Sequence, residues 1–163
     1  MAGWMDTYSV DILETLREAG IQPGMNVLDF GCGPGRYALP AARMVGTEGV
    51  VYAVDAHPAV VEIVKRRAAT ARTTSLRTIH TDCDTSLPRG SIDVVLLYDA
   101  FHDMRNKEAI LVELHRVLRL QGVLSYRDHT LGGEPLLSLM HACGFSLLVE
   151  TARQLSFHKH RAR

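Results

Sequence analysis

The residues of this chain whose types and spacing could do chemistry are an alternating run of glycines, a set of acids that follow apolar runs, and one histidine. The stretch Val27-Leu28-Asp29-Phe30-Gly31-Cys32-Gly33-Pro34-Gly35 leads three apolar residues and an acid into a loop with glycine at every second position. An apolar strand ending in such a loop, ahead of a helix, brings backbone N–H groups and open space close to a ligand. A turn with no ligand is the simpler reading, but three alternating glycines and a preceding Asp exceed what a turn requires. A dinucleotide fingerprint needs G-x-G-x-x-G, and its third glycine would fall at Arg36. Asp55, 20 residues past Gly35, closes the apolar run Val51-Tyr52-Ala53-Val54. A carboxylate there can accept hydrogen bonds from both hydroxyls of a ribose, or else cap the helix ahead of Pro58. A third acid, Asp82 in Thr81-Asp82-Cys83-Asp84, follows another apolar run, with a solvated acidic loop as its plainer reading.

A second group gathers around Tyr98-Asp99-Ala100-Phe101-His102-Asp103. An unperturbed imidazole titrates near neutrality, so His102 could take a proton from a hydroxyl or thiol; capping or packing beneath a loop is the structural alternative. Asp128 and His129, past a fifth strand, should lie on the same sheet edge. With His102 and Asp103 they could in principle bind a metal, but their spacing carries no ligand signature and none is expected.

These groups must be positioned by alternating elements. A first helix, about residues 6–20, shows Ile12, Leu13, Leu16 and Ala19 on one face with Gly20 just past its end. Strands are expected at Asn26–Phe30, Val50–Val54, Leu76–His80, Ile92–Leu97 and Val123–Arg127, with helices near Tyr37–Met44, Pro58–Arg72 and Asn106–Leu118 between them. Such alternation argues for a parallel sheet with helices on both faces. A short helix (Glu134–Cys143) precedes two strands, Phe145–Glu150 and Gln154–His160, only three residues apart. Strands so close must be antiparallel. In open sheets of this kind ligands bind beyond the carboxyl ends of the strands, near the switch point of the strand order.

The G-x-G-x-G loop preceded by Asp29 resembles motif I of class I S-adenosylmethionine-dependent methyltransferases. The run Ile92–Asp103 and the helix Leu114-His115-Arg116-Val117-Leu118-Arg119 resemble the small-molecule enzymes of the ubiquinone-biosynthesis type, the likeness covering roughly Gly24 to His129. One departure is that the usual Lys-Pro-Gly-Gly turn before strand five reads Arg119-Leu120-Gln121-Gly122, which puts the local turn geometry in doubt. The resemblance implies an α/β, Rossmann-like fold, with a mostly parallel seven-stranded sheet ending in an antiparallel hairpin. It implies S-adenosylmethionine as cofactor, bound through Asp29, Gly31, Cys32, Gly33, Gly35, Asp55, Ala56, Asp82, Cys83 and Tyr98. Asp82 would accept the adenine amino group and the Cys83 amide would complete adenine recognition. Tyr98 and Asp99 would stand near the reacting methyl, with Asp99 and His102 as candidate catalytic groups. The whole chain, 1–163, then reads as one domain, with a cofactor half near 24–90 and a substrate half near 91–163.

Composition narrows the function. Lys+Arg and Asp+Glu both total 18, so the chain has no electrostatic footprint for nucleic acid or a membrane surface. No apolar run approaches a membrane span, and no secretory layout is visible at the start. Three cysteines, Cys32, Cys83 and Cys143, form no C-x-x-C pair, and the cytoplasm is the expected compartment. The absence of an Asn-Pro-Pro-Tyr or Asp-Pro-Pro-Tyr run argues against methylation of adenine or glutamine amino groups, and that of Pro-Cys against cytosine C5 chemistry. The expected activity is in-line methyl transfer to a small-molecule acceptor. The alternative is a cofactor-binding regulatory or partner subunit, favoured by the shortness of the chain, and a homodimer or partner could supply a missing wall. A nicotinamide-dependent dehydrogenase is a third reading, opposed by Arg36 and the terminal hairpin.

Overall fold

The computed structural model describes residues 8–160. The elements run α1 (Val10–Glu18), β1 (Asn26–Phe30), α2 (Ala38–Val45), β2 (Val50–Asp55), α3 (Pro58–Thr70), β3 (Leu76–His80), β4 (Ile92–Tyr98), a 3-10 turn (Phe101–Asp103), α4 (Lys107–Val117), β5 (Leu118–Arg127), α5 (Gly133–Ala142), β6 (Phe145–Glu150) and β7 (Leu155–Lys159). All seven strands form one sheet in the order β3-β2-β1-β4-β5-β7-β6. Neighbours from β3 to β5 are parallel, and β7 runs antiparallel to both β5 and β6. The chain reverses its direction of travel across the sheet between β1 and β4, so the glycine loop and the end of β4 meet at the switch point.

The two-residue period of the central strands sends alternate side chains to opposite faces and builds two cores. Leu28, Phe30, Val95 and Leu97 pack with Ile110, Leu111 and Leu114 of α4 and Leu136 and Met140 of α5. On the other face Val27, Val94, Leu96 and Tyr98 pack with Ile12 and Leu16 of α1, Ala38 and Ala41 of α2, and Val64 of α3. Helix starts follow their local chemistry: the Ser9 hydroxyl accepts the Ile12 amide ahead of α1, and Pro58 opens α3. The first helix begins at Val10 rather than near residue 6; positions 6 and 7 lie outside the described residues.

Strand five corrects the sequence-based boundary. It begins at Leu118, not Val123, and Arg119-Leu120-Gln121-Gly122 is carried within the strand as an irregularity: pairing jumps from Ile92↔Leu118 to Val94↔Val123. Arg119 forms an ion pair with Asp93, whose other oxygen accepts the Asn26 amide at 2.7 Å. A β-carbon on Gly122 would lie 2.6 Å from Leu118 Cδ1 and 2.9 Å from the Asp93 carbonyl, so the close approach of β4 demands glycine there. Among the described residues no helix is long and apolar enough to cross a membrane.

Candidate active site

The glycine loop crosses the ends of β1 and β2. The amides of Gly31 and Cys32 both donate to the Val54 carbonyl (2.8 and 2.9 Å), that of Gly33 to Asp55 Oδ2 (3.1 Å), and that of Gly35 to the Cys32 carbonyl (3.1 Å). These four amides are therefore engaged inside the protein, and what the loop offers a ligand is chiefly room. Gly31, Gly33 and Gly35 all have positive φ. A β-carbon on Gly31 would collide with Ala100 Cβ at 2.7 Å and Met104 Cε at 2.9 Å, whereas one on Gly33 would meet nothing within 4 Å. The loop is closed toward the 3-10 turn and open at its middle.

Asp29, 2% exposed, lies beneath the start of α2. The Ala38 amide donates to its carboxylate, and Oδ2 has no partner among the described residues. Burial, with the Asp55 charge adding to it, pushes this carboxyl up to about 7 against the pull of the Ala38 amide. Burial likewise raises the Cys32 thiol, with Asp29 and Asp55 adding, so Cys32 is a neutral packing group whose thiol donates to the Gly33 carbonyl. Asp55 ties two loops together, its second oxygen accepting the His57 amide at 2.9 Å. Its bonds run to the glycine loop and to His57, the residue before Pro58, so in this structure it joins the loop after β1 to the entry of α3. The Ala56 carbonyl accepts from His80 Nε2 at 3.1 Å. Asp82 is exposed, and the Cys83 amide donates to Thr81 Oγ1 at 3.3 Å. Buried Glu113 accepts from the amide and hydroxyl of Thr85 and pairs with Arg116, anchoring that segment to α4.

The end of β4 holds a second arrangement. Tyr98 turns its hydroxyl into the interior, bonded to Ser125 Oγ (2.7 Å) and to Gln154 Oε1 (3.0 Å), while Gln154 reaches the Thr15 carbonyl of α1. Asp99 adopts a left-handed backbone, φ 49°, with its amide donating to the Arg127 carbonyl and Oδ1 3.1 Å from His129 Nδ1. For a residue with a β-carbon that conformation is strained, and such strain concentrates where a side chain must be aimed. His102 Nδ1 lies 2.8 Å from Asp128 Oδ2, which also accepts the His102 amide; Asp128 Oδ1 takes the amides of Thr130 and Leu131. The Asp128 side chain is fully buried. Burial alone would raise its carboxyl, but the Thr130 amide, His102 and the other donors outweigh it and hold the group low. The hydrogen bond that the imidazole donates to Asp128 in turn raises His102. Lys107 pins the turn by donating to the carbonyls of His102 and Met104.

His102 and Asp128 thus meet as an oriented pair, with Asp99 and His129 beside them. Among the described residues no group of three or more His, Cys, Asp or Glu side chains is set to hold a metal ion. A cavity of about 530 Å³, lined by Asp99, Asp128, His129, Arg127, Asp11 and Arg153 among others, opens beside the pair. The pairing of Asp128 with His102 escaped sequence reasoning, although the end of β5 was a visible signal. Tyr37 escaped it too: it is 6% exposed, packs edge-on against Tyr98, and its hydroxyl has no partner among the described residues.

A family model described as a methyltransferase domain matches residues 21–155. The ubiquinone/menaquinone biosynthesis C-methyltransferase UbiE of Ralstonia pickettii is 26% identical over 137 residues, covering 82% of this chain and 55% of that protein. A demethylmenaquinone methyltransferase of Geobacillus kaustophilus is 25% identical over 111 residues, 68% of this chain and 47% of that one. The chain spans about half the length of these curated relatives. Among solved structures, a SAM-dependent methyltransferase from Aquifex aeolicus shares the fold with a TM-score of 0.80 and 23% identity, over 91% of this chain and 88% of that one.

Proposed function

The chain belongs to the methyltransferase-domain family, and from that premise we propose that it moves a methyl group from S-adenosylmethionine to a small-molecule acceptor. The observation that carries this reading is a single sheet edge with two features: a glycine cradle open at Gly33, and a cavity lined by Asp99 and by Asp128, the carboxylate that orients His102. The cradle suits the cofactor. Buried Asp29 has an oxygen without a partner, Gly33 leaves volume a side chain would fill, and Asp55 presents a carboxylate at the end of β2. When bound, S-adenosylmethionine supplies a methyl on a sulfonium, a leaving group that needs no acid.

In this reading Asp29, Gly31, Cys32, Gly33 and Gly35 shape the seat for the amino-acid and ribose parts, and Asp55 with Ala56 holds the ribose. Asp82 and the Cys83 amide receive adenine, which requires that amide to exchange its bond from Thr81. Tyr98 acts indirectly, as a buried tie that keeps the end of β4 in line. Residues near 24–90 form the cofactor half and those near 91–163 the acceptor half. The protein's main task is to hold acceptor and methyl donor in line. His102 takes the acceptor's proton where the nucleophile arrives protonated: ionised Asp128 keeps the hydrogen on Nδ1, and Nε2, 3.3 Å from the exposed Asp103 carboxylate in this structure, is the accepting atom once that side chain swings aside. Asp99 orients the reacting group. Three unpaired cysteines suit a reducing compartment, and the cytoplasm is the proposed one.

The test is a screen of hydroxyl, thiol, amine and acidic C–H acceptors with the purified chain, read as S-adenosylhomocysteine produced. Turnover on at least one acceptor is expected; a folded chain that binds S-adenosylhomocysteine yet turns over nothing would leave only a binding role. For an active acceptor, His102→Ala should lower kcat by about a hundredfold while S-adenosylhomocysteine affinity holds. Equal loss of both would remove the base assignment.

A further inference from the structure

Asp29 poses a charge problem that the fold leaves unsolved. It is fully buried, accepts one backbone amide, and has a second oxygen with no partner among the described residues. The ion pairs found among those residues do not include it. The titratable groups that face it are the Asp55 carboxylate from β2, the Cys32 thiol from the glycine loop and the Tyr98 phenol from β4. Burial drives the thiol and the phenol upward, so both stay neutral around neutral pH. The remaining neighbour, Asp55, adds like charge. An ionised Asp29 in this setting would be a buried anion with one hydrogen bond and no counter-charge, an arrangement that favours the neutral acid.

We propose that Asp29 is a proton-linked anchor for the cofactor: the ligand-free protein holds a proton on its carboxyl and releases it to solvent when the cofactor's cationic amino-acid end arrives. The O–H bond breaks, its electron pair stays on the carboxylate, and the ammonium of the ligand becomes the missing counter-charge. The inference rests on the cofactor reading above. Burial already brings the carboxyl to about 7, so the linkage operates across neutral pH. Below that value each unit of acidification weakens binding by about tenfold, and above it the affinity levels off. The protein would hold its cofactor tightly at mildly alkaline pH and shed it on acidification.

S-adenosylhomocysteine, which keeps the ammonium, is the probe. Calorimetric titration in phosphate and in Tris, buffers with different protonation enthalpies, counts the protons released on binding. The expected result is close to one proton per ligand at about pH 6, falling toward none at about pH 8.5, with Kd rising about tenfold from pH 6.5 to 5.5. Asp29→Asn should bind with no proton release. Should that variant not fold, the infrared difference spectrum of the unaltered protein gives the same information, because ligand addition should erase a protonated-carboxyl band. Identical heats in the two buffers, an unchanged carboxyl band, or proton release that persists in folded Asp29→Asn would overturn the linkage. A folded protein that binds no S-adenosylhomocysteine would instead overturn the cofactor reading, and the linkage with it.

Discussion

The imidazole of His102 is gripped by a carboxylate that solvent does not reach, and this sets its chemistry. The hydrogen bond accepted by Asp128 raises the imidazole above its ordinary 6.5. The acid limb of a pH–rate profile that depends on neutral His102 should therefore lie above that value. Asp128→Asn should move the limb to lower pH and lower kcat roughly tenfold or more, because nothing then holds the proton on Nδ1. An unmoved limb would show that His102 does not report the rate. The same pair has a stability signature. The raised His102 contributes stability that is full below 6.5 and is lost as pH rises through its folded value; lowered Asp128 contributes stability present above 3.8 and lost as pH falls. The pair therefore supports the fold most strongly between those two values.

At the scale of elements, the site is made by strand ends and depends on how β4 and β5 lie together. Asp99 donates its amide to the Arg127 carbonyl, which carries the β4–β5 pairing right up to the turn that bears His102. Upstream, the jump in register around Arg119–Gly122 absorbs extra residues without a turn, and Gly122 permits it by lacking a side chain. Gly122→Ala should therefore overpack Leu118 and the Asp93 backbone and destabilise the protein by about 1–3 kcal/mol. Urea denaturation measures this, and an unchanged midpoint would mean that Leu118 moves aside freely. The helix on the opposite face is fastened as well: Gln154 and Arg153, ahead of β7, bond Thr15 and Glu18 of α1, so the first helix is fixed to the rim of the cavity that both residues line.

For the whole molecule, a cofactor that binds only the folded state must stabilise it. S-adenosylhomocysteine at a hundred times its Kd should add about 2.7 kcal/mol. That corresponds to a rise in Tm of roughly 5–10 °C for a chain of this size, and NAD should give none. No rise with the former, or an equal rise with the latter, would remove the cofactor assignment. Much of this architecture was legible in the residues: strand–helix alternation, the apolar face Ile12-Leu13-Leu16, and the closeness of the last two strands announced a parallel sheet ended by an antiparallel pair. These signals are local, since periodicity and turn chemistry are written in neighbouring positions. The glycine spacing and the acid at each strand end announced a site at the carboxyl edge for the same reason. Where each polar group spends its hydrogen bonds was not legible. The loop amides turn inward to Val54 and Asp55, Tyr98 points its hydroxyl at Ser125 and Gln154, and Asp29 is left without a counter-charge. Asp128, 26 positions from His102, becomes its partner only through the β4–β5 register and the turn at Asp99. By itself the sequence determined which elements form and which chemistry stands at the strand ends; tertiary structure decided the partners, because long-range register and burial are properties of the assembled sheet.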